Sequence, residues 1–418
     1  MDKWRKRLIF SFRAKTYSKS SVWSRECIRP GTSKWRRMRE HGKKACLLTN
    51  QGVYFNVEND LEWRARIFAP VERGEGILAV TIRELSQKCG LSVSTVSKAL
   101  NGYSDVSEET RVLVQSMAQQ TGYRPNSLAR ALKTNRTFNL GVLFVDDNQS
   151  GLTHNYFATV LDSFKVEAER RGYDITFINH NIGKTNMTYL EHCRYRNVDG
   201  VCLACVDFQA SEVVELVNGD IPAVTIDHLF NNRTCIQSEN RQGVQELVKY
   251  VYGKGHRDIA YVSGAKSAVT DIRVTSFLRT MSDLGLTVPE GFLQHGVYQD
   301  PSATYQVVKR MLSAGRRPSC ILMPDDYAAL GGIEAAEDLG FRIPEDLSVA
   351  GFDGIRLIQR LTPKLTTIAQ DTTRIGQEAA RQLVHLIERP RTTYPEILSI
   401  PTRLIPGETV RDLNVPAR

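Results

Sequence analysis

Two groups of residues in this 418-residue chain have types and spacings that could do chemistry. The first is a run of short hydroxyl side chains closed by a lysine: Ser92, Ser94, Thr95, Ser97 and Lys98. Small Ser/Thr donors and a cation near a helix N-terminus suit phosphate oxygens and base edges. The second group is dispersed. Asp227 directly follows the apolar run Ala223–Ile226, while Asp325 and Asp353 follow Ile321–Met323 and Val349–Phe352. Arg273 opens the helix-like stretch after Ile259–Val262. Carboxylates and a guanidinium converging in a cleft would accept from and donate to paired hydroxyls, which fits a polyol. Taken singly, each also reads as a solvated loop charge.

Catalytic and metal chemistry finds little support. His154 has no nucleophile elbow or H-E-x-x-H beside it, and there is no Gly-rich phosphate loop. Cys202 and Cys205 form a C-x-x-C, but they lie in Val201–Val206, which reads as a buried strand. Without a second Cys/His pair at ligand spacing they read as small core hydrophobes. The expectation is a chain that is not an enzyme and needs no cofactor.

The elements that would position these groups fall into three zones. From Val80 the pattern is helical. Thr81-Ile82-Arg83-Glu84 has the form of a capping box for a helix reaching Lys88. Gly90 supplies a turn, and Ser92 caps a second helix, Val93 to Leu100, closed by Asn101-Gly102. Ser107 caps a third helix with Glu108 and Glu109 in its first turn, ending at Gly122. A short helix over Asn126–Leu132 and a linker to Phe138 follow. Two short helices around a Gly turn predict a helix-turn-helix, whose second helix enters the major groove. Leu85, Leu91, Val96 and Leu100 fall where those helices pack, and Ser86 and Gly90 are small where they approach.

From Asn139 strand-like and helix-like stretches alternate. The strands are Leu140–Val145, Asp174–Ile178, Val201–Val206, Ala223–Ile226, Ile259–Val262, Cys320–Met323 and Leu347–Phe352. The helices are Phe157–Arg171, Arg241–Tyr252, Asp271–Leu284, Ala328–Leu339 and Thr373–Ile387. This alternation predicts an α/β fold with parallel sheets, and its length predicts two lobes. Ligands bind such sheets at the carboxyl ends of the strands.

Residues 1–79 differ from the rest. They hold all four tryptophans and carry 18 Lys and Arg against 8 Asp and Glu, whereas residues 139–418 carry 29 against 34. They keep no sustained helical or strand period. One reading is a basic arm adding nonspecific DNA affinity; the favoured one puts the segment outside the working protein, which would begin near Leu78-Ala79-Val80. No apolar run approaches the roughly 20 residues of a membrane helix, and the short stretch Leu8–Phe12 cannot form a signal-peptide core, so no membrane association and a cytoplasmic location are expected.

The run from Val80 to Asn101 resembles the headpiece of lactose-repressor (LacI) family regulators. The likeness continues through Val106-Ser107-Glu108-Glu109-Thr110-Arg111, Gly122-Tyr123-Arg124-Pro125-Asn126 and the hinge-like Leu128-Ala129-Arg130-Ala131-Leu132. It implies a helix-turn-helix headpiece at 80–125, a hinge and linker at 126–138, and a two-lobed, periplasmic-binding-protein-like effector and dimerisation core at 139–418. By this resemblance Val93, Ser94 and Lys98 would read bases. Thr81, Ser92, Thr95, Ser97, Asn101 and Tyr123 would touch or support the DNA contact. Leu132 would wedge into the minor groove beside Asn126 and Ala129. In the core, Arg273 and Asp353 fall at effector-contacting positions, with Tyr156 and Phe157 as aromatic neighbours and Asp227 and Asp325 as further candidates. One departure is Ser86, where the family has Ala; a buried serine there can bond the preceding turn. The expected function is a homodimeric repressor of double-stranded operator DNA, controlled by a small effector, a sugar. The rivals are a sugar-transport receptor, which would lack the helix-turn-helix, and a sugar-active enzyme, which would show a catalytic pair.

Overall fold

The computed structural model describes residues 46–48, 54–56, 80–124, 131, 136–145 and 151–415. The chain divides into two compact units, Met1–Arg124 and Pro125–Arg418. In the first, Cys46–Leu48 and Tyr54–Asn56 pair as antiparallel strands. The rest of its described part is three helices: α1 (Ile82–Cys89), α2 (Val93–Leu100) and α3 (Glu108–Thr121).

Local chemistry sets the ends of these helices. The Thr81 hydroxyl accepts from the Glu84 amide at 3.3 Å, and Glu84 accepts the Thr81 amide at 2.7 Å, completing the capping box. Gly90 ends α1 in the left-handed region, at φ 65°, where a side chain would be strained. Ser92 and Ser107 cap α2 and α3 through the amides of Thr95 and Thr110. Leu85, Val96, Ala99, Val106, Val114 and Ala118 form the buried centre, with Leu91 and Leu100 packed at its margin. Ser86 is buried, and its hydroxyl donates to the Arg83 carbonyl at 2.7 Å, the bond to the preceding turn that makes a serine tolerable there.

The second unit holds two six-stranded sheets. In chain order its elements begin with β1 (Asn139–Phe144), α4 (Asn155–Arg170), β2 (Asp174–Phe177), α5 (Tyr189–Tyr195) and β3 (Gly200–Ala204). Then come α6 (Ser211–Asn218), β4 (Ala223–Ile226), β5 (Thr234–Ser238), α7 (Asn240–Gly253), β6 (Ile259–Ser263) and α8 (Ala268–Asp283). They continue with β7 (Leu293–His295), α9 (Pro301–Ser313), β8 (Cys320–Leu322), α10 (Asp326–Asp338), β9 (Ser348–Asp353) and β10 (Thr366–Ala369). The series closes with α11 (Thr372–Glu388), β11 (Ile397–Ile400) and β12 (Arg403–Ile405). One sheet runs β11-β5-β4-β3-β1-β2, parallel throughout. The other runs β7-β6-β8-β9-β10-β12, parallel except for the last pair.

Each sheet is covered on both faces, which is why strands such as Gly200–Ala204 are apolar and buried at every position. The chain passes between the lobes three times: Ser238 to Asn240, Ala369 to Thr372, and Ile400 to Arg403. Helix α11 thus returns to the first lobe, where Ile375, Ala379 and Leu383 pack with Val160 and Phe164 of α4. Among the described residues no helix is long and apolar enough to cross a membrane.

The strand-helix alternation read from the sequence is present, with ends that coincide or shift by at most three residues. Two features differ. Strand β3 stops at Ala204, so Cys205 is not a buried strand residue; it turns at φ 53° at the strand's carboxyl end, only partly buried. Strands β5, β7, β10, β11 and β12 and helices α5, α6 and α9 are not among the elements expected from the sequence; the strands and α5 are short, whereas α6 and α9 bury an apolar face (Val213, Leu216 and Val217; Val307, Val308, Met311 and Leu312). Asn126, Ala129 and Leu132 lie outside the described residues.

Gly376 marks the tightest contact between α4 and α11. A Cβ there would stand 2.1 Å from the Val160 carbonyl oxygen and 2.2 Å from the Ser163 hydroxyl. Gly376→Ala should therefore destabilise the second unit by about 1–3 kcal/mol, read as a lower urea midpoint at unchanged slope.

Candidate functional site

In the headpiece, the first turn of α2 is exposed, with Val93 at 39% and Ser92 and Ser94 also exposed. Several hydroxyls expected to meet DNA already hold the fold. Thr81 and Ser92 serve as caps, and the Thr95 hydroxyl lies 2.8 Å from that of Ser92. The Asn101 amide donates to the Ser97 carbonyl at 2.6 Å. Lys98 is ion-paired with Asp105, whose carboxyl this bond holds below its ordinary range. Tyr123 packs half-buried against the headpiece core.

In the second unit, a cavity of about 290 Å³ opens between the lobes at the carboxyl ends of both sheets. Asp227 follows β4 at φ 61° and Asp353 ends β9 at φ 111°, so each carboxylate is presented by a backbone that side chains rarely adopt. Tyr156 and Phe157, from the first turn of α4, and Arg273, from α8, complete the convergence.

Hydrogen bonds fix these groups. The Tyr156 hydroxyl donates to an Asp227 oxygen at 2.9 Å. Gln370 Nε2 donates to Asp353 Oδ1 at 2.6 Å. Arg273 is 4% exposed; its Nε donates to Asn240 Oδ1 at 2.8 Å and its Nη1 to the Pro324 carbonyl at 3.0 Å. Its guanidinium lies 3.7 Å from the centre of the Phe352 ring.

Burial and mutual charge perturb the site. Burial pushes the Asp353 carboxyl well above the ordinary range, reinforced by the Asp325 charge and opposed by Arg273. Asp227 is raised by burial, against the Tyr156 hydrogen bond and Arg273. Burial opposes the Arg273 charge, but Tyr298, Asp353, Tyr261 and Asp227 outweigh it and hold its pKa up.

Asp325 has a different place. Its Oδ1 accepts the Tyr327 and Ala328 amides at 2.9 and 2.8 Å, capping α10, and its Oδ2 accepts the Gln299 amide at 2.8 Å. It is buried and does not line the cavity, because the cap takes up its oxygens. It supports the Gln299 loop that does.

The comparisons with known proteins follow this division. Residues 81–126 match the model of bacterial regulatory proteins of the lacI family, and residues 248–410 match a periplasmic binding protein-like domain. An HTH-type transcriptional repressor PurR from Pectobacterium carotovorum subsp. carotovorum (strain PC1) is 31% identical over 339 residues, 79% of this chain and 97% of the relative. The chain belongs to the LacI family of bacterial regulatory proteins. It is a DNA-binding transcriptional repressor of that family. A PurR repressor of Proteus mirabilis (strain HI4320) is 30% identical over the same shares. The lac repressor dimer bound to operator and the anti-inducer ONPF has the same fold, at TM-score 0.68 and 23% identity over 79% of this chain and 99% of that one. A CelR–cellobiose complex aligns with TM-score 0.55 at 23% identity over the same shares.

The LacI-family cleft holds more than the sequence disclosed. His154, Cys205, Phe208, His228, Tyr298, Gln299 and Gln370 also line it. Phe208 and His228 stack with ring centres 4.3 Å apart and planes 4° from parallel, and the Phe230 ring centre lies 4.8 Å from that of His228. The one available signal was position: His228 follows Asp227, and Gln370 follows β10.

The Asp353 shift has a stability consequence. A carboxyl whose folded pKa is raised binds its proton more tightly in the folded state, so stability falls as pH rises from the unfolded toward the folded pKa. Burial sets the shift first; the Asp325 and Asp326 charges add to it, and Arg273 and the Gln370 hydrogen bond oppose it. Asp353→Asn should raise the ligand-free melting temperature near neutral pH, and the gain should shrink as pH falls into the ordinary carboxylate range. Thermal scans across pH read this directly.

Proposed function

We propose that the chain acts as a homodimer whose headpieces hold two operator half-sites, and that a sugar in the inter-lobe cleft sets its operator affinity. One observation carries the effector reading: Tyr156 and Asp227 from one lobe and Arg273 and Asp353 from the other converge on one cavity. A ligand bridging them must change the relation of the lobes, which only three short crossings join. The sugar reading rests on acceptors and donors from both lobes beside an aromatic wall. Phe157 belongs to that wall, and Asp325 acts through the Gln299 loop.

On the DNA side, residues 80–125 form the reading module, 126–138 the hinge and linker, and 139–418 the sensing and dimerising core. Val93, Ser94 and Lys98 read bases. Thr81, Ser92, Thr95, Ser97 and Asn101 meet the backbone through groups that also hold the helices, and Tyr123 supports them. Leu132 inserts at the operator centre, flanked by Asn126 and Ala129. Lys98 must leave Asp105 to reach DNA. That exchange is easy, because an exposed ion pair contributes only about 0–1 kcal/mol. A flat heterocycle such as a nucleobase is a second effector reading, favoured by the parallel Phe208 and His228 rings.

Selection of operators from a random duplex pool with the full chain tests the DNA side. The expected product is an inverted repeat with half-sites about one helical turn apart. Lys98→Ala should then weaken binding to it by about 1–3 kcal/mol while leaving the headpiece folded. An unenriched pool, or an operator bound equally by Lys98→Ala, would sink this reading.

A further inference from the structure

The charge balance of the cleft says which ligands it can take, given its reading as the effector site. Among the described lining residues two carboxylates, Asp227 and Asp353, face a single guanidinium, Arg273. Asp325 stands behind Asp353, near enough for its charge to act on that carboxyl. Two imidazoles also line the cleft. His154 uses its Nδ1 to accept the Phe157 amide at 3.5 Å, and His228 adds no compensating charge near neutral pH, because burial holds its imidazole below the ordinary range.

Nor is Arg273 an open anion clamp. Its Nε is on Asn240, its Nη1 is on the Pro324 carbonyl, and its face is on Phe352. Tight binding of a carboxylate or phosphate uses a free, bidentate fork and a local excess of positive charge. Here an anion would leave water, meet a partly engaged guanidinium, and face two acids in a site of low dielectric. A hydroxyl or amino group meets no such penalty, since it can donate to Asp227 or Asp353. The cavity, at about 290 Å³, lies at the lower end of the range for small-molecule sites, which begins near roughly 300 Å³. Its aromatic lining favours one flat or puckered ring over a chain of them.

We propose that the cleft selects an uncharged, single-ring, hydroxyl- or amino-bearing effector and rejects the phosphorylated or carboxylated form of the same ring. Discrimination would come from desolvating an anion beside acids that burial already makes reluctant to ionise, and beside a guanidinium whose donors are engaged, as much as from any attractive contact.

Calorimetric titration of the full chain with paired probes tests this. Glucose and galactose are each set against the uronate of the same ring, ribose against its phosphate ester, and cytosine against 5-carboxycytosine. The uronates change charge at nearly constant size, so size cannot explain a difference. The expected result is that at least one neutral member binds and its anionic partner binds about tenfold or more weakly. In Asp353→Asn, or in Asp227→Asn if the first variant loses binding, that ratio should narrow. An anion binding as tightly as its neutral parent in the wild type overturns the selection rule while leaving the cleft an effector site. Binding of cytosine without 5-carboxycytosine, and of no sugar, keeps the rule and removes the sugar reading. No binding by any member of any pair removes the effector reading and this inference with it.

Discussion

The buried guanidinium of Arg273 is the contact on which the sensing unit depends. It neutralises a site that otherwise gathers carboxylates from both lobes. It also begins a relay across the first crossing. Arg273 donates to Asn240, Asn240 Nδ2 donates to the Ser238 carbonyl at 3.2 Å, and the Ser238 amide points to Asp227 at 3.4 Å. One lobe's cation is thus tied, through two residues at a lobe junction, Asn240 and Ser238, to the other lobe's carboxylate. Removing such a charge leaves its buried partners uncompensated, which is more damaging than the pair is stabilising. A ligand that competes for these bonds therefore acts on the junction itself.

The rest of the fold serves that placement. Parallel sheets put the carboxyl ends of β4 and β9 at the cleft, and positive backbone angles at Asp227 and Asp353 turn their carboxylates out of the sheets. Strain of this kind persists only where surroundings fix it. Here Tyr156 and Gln370 hold the two acids, and the cap made by Asp325 fixes the loop carrying Gln299.

The headpiece was legible almost to the residue, because its caps, glycine turn and buried leucine are local signals. In the core, Asp227 and Asp353 could be placed at strand ends because each follows an apolar run long enough to read as a strand, whereas Arg273 falls in a helix-like stretch. Phe208, Tyr298, Gln299 and Gln370 were not. Tyr298, Gln299 and Gln370 follow β7 and β10, whose sequences Leu293-Gln294-His295 and Thr366-Thr367-Ile368-Ala369 carry buried or half-buried polar groups instead of an apolar alternation. Thr366 and Thr367 are buried because side-chain bonds satisfy them: Thr366 accepts the Gly407 amide at 3.0 Å, and Thr367 donates to Asp326. Only the folded chain reveals such partners. Asp325 misled for the same reason: its position at a strand end suggested a ligand contact, while its oxygens close a helix.

Cleft occupancy and operator affinity would then form one linked equilibrium passing through Arg273. The most direct measurement is operator affinity by fluorescence anisotropy at fixed salt, with and without saturating ligand, for the wild type and Arg273→Gln. A ligand-induced change of roughly 5- to 150-fold is expected in the wild type, in whichever direction. Arg273→Gln, folded and still binding operator without ligand, should lose that change. Operator affinity that ignores bound ligand in the wild type, or a full response in Arg273→Gln, would contradict that linkage.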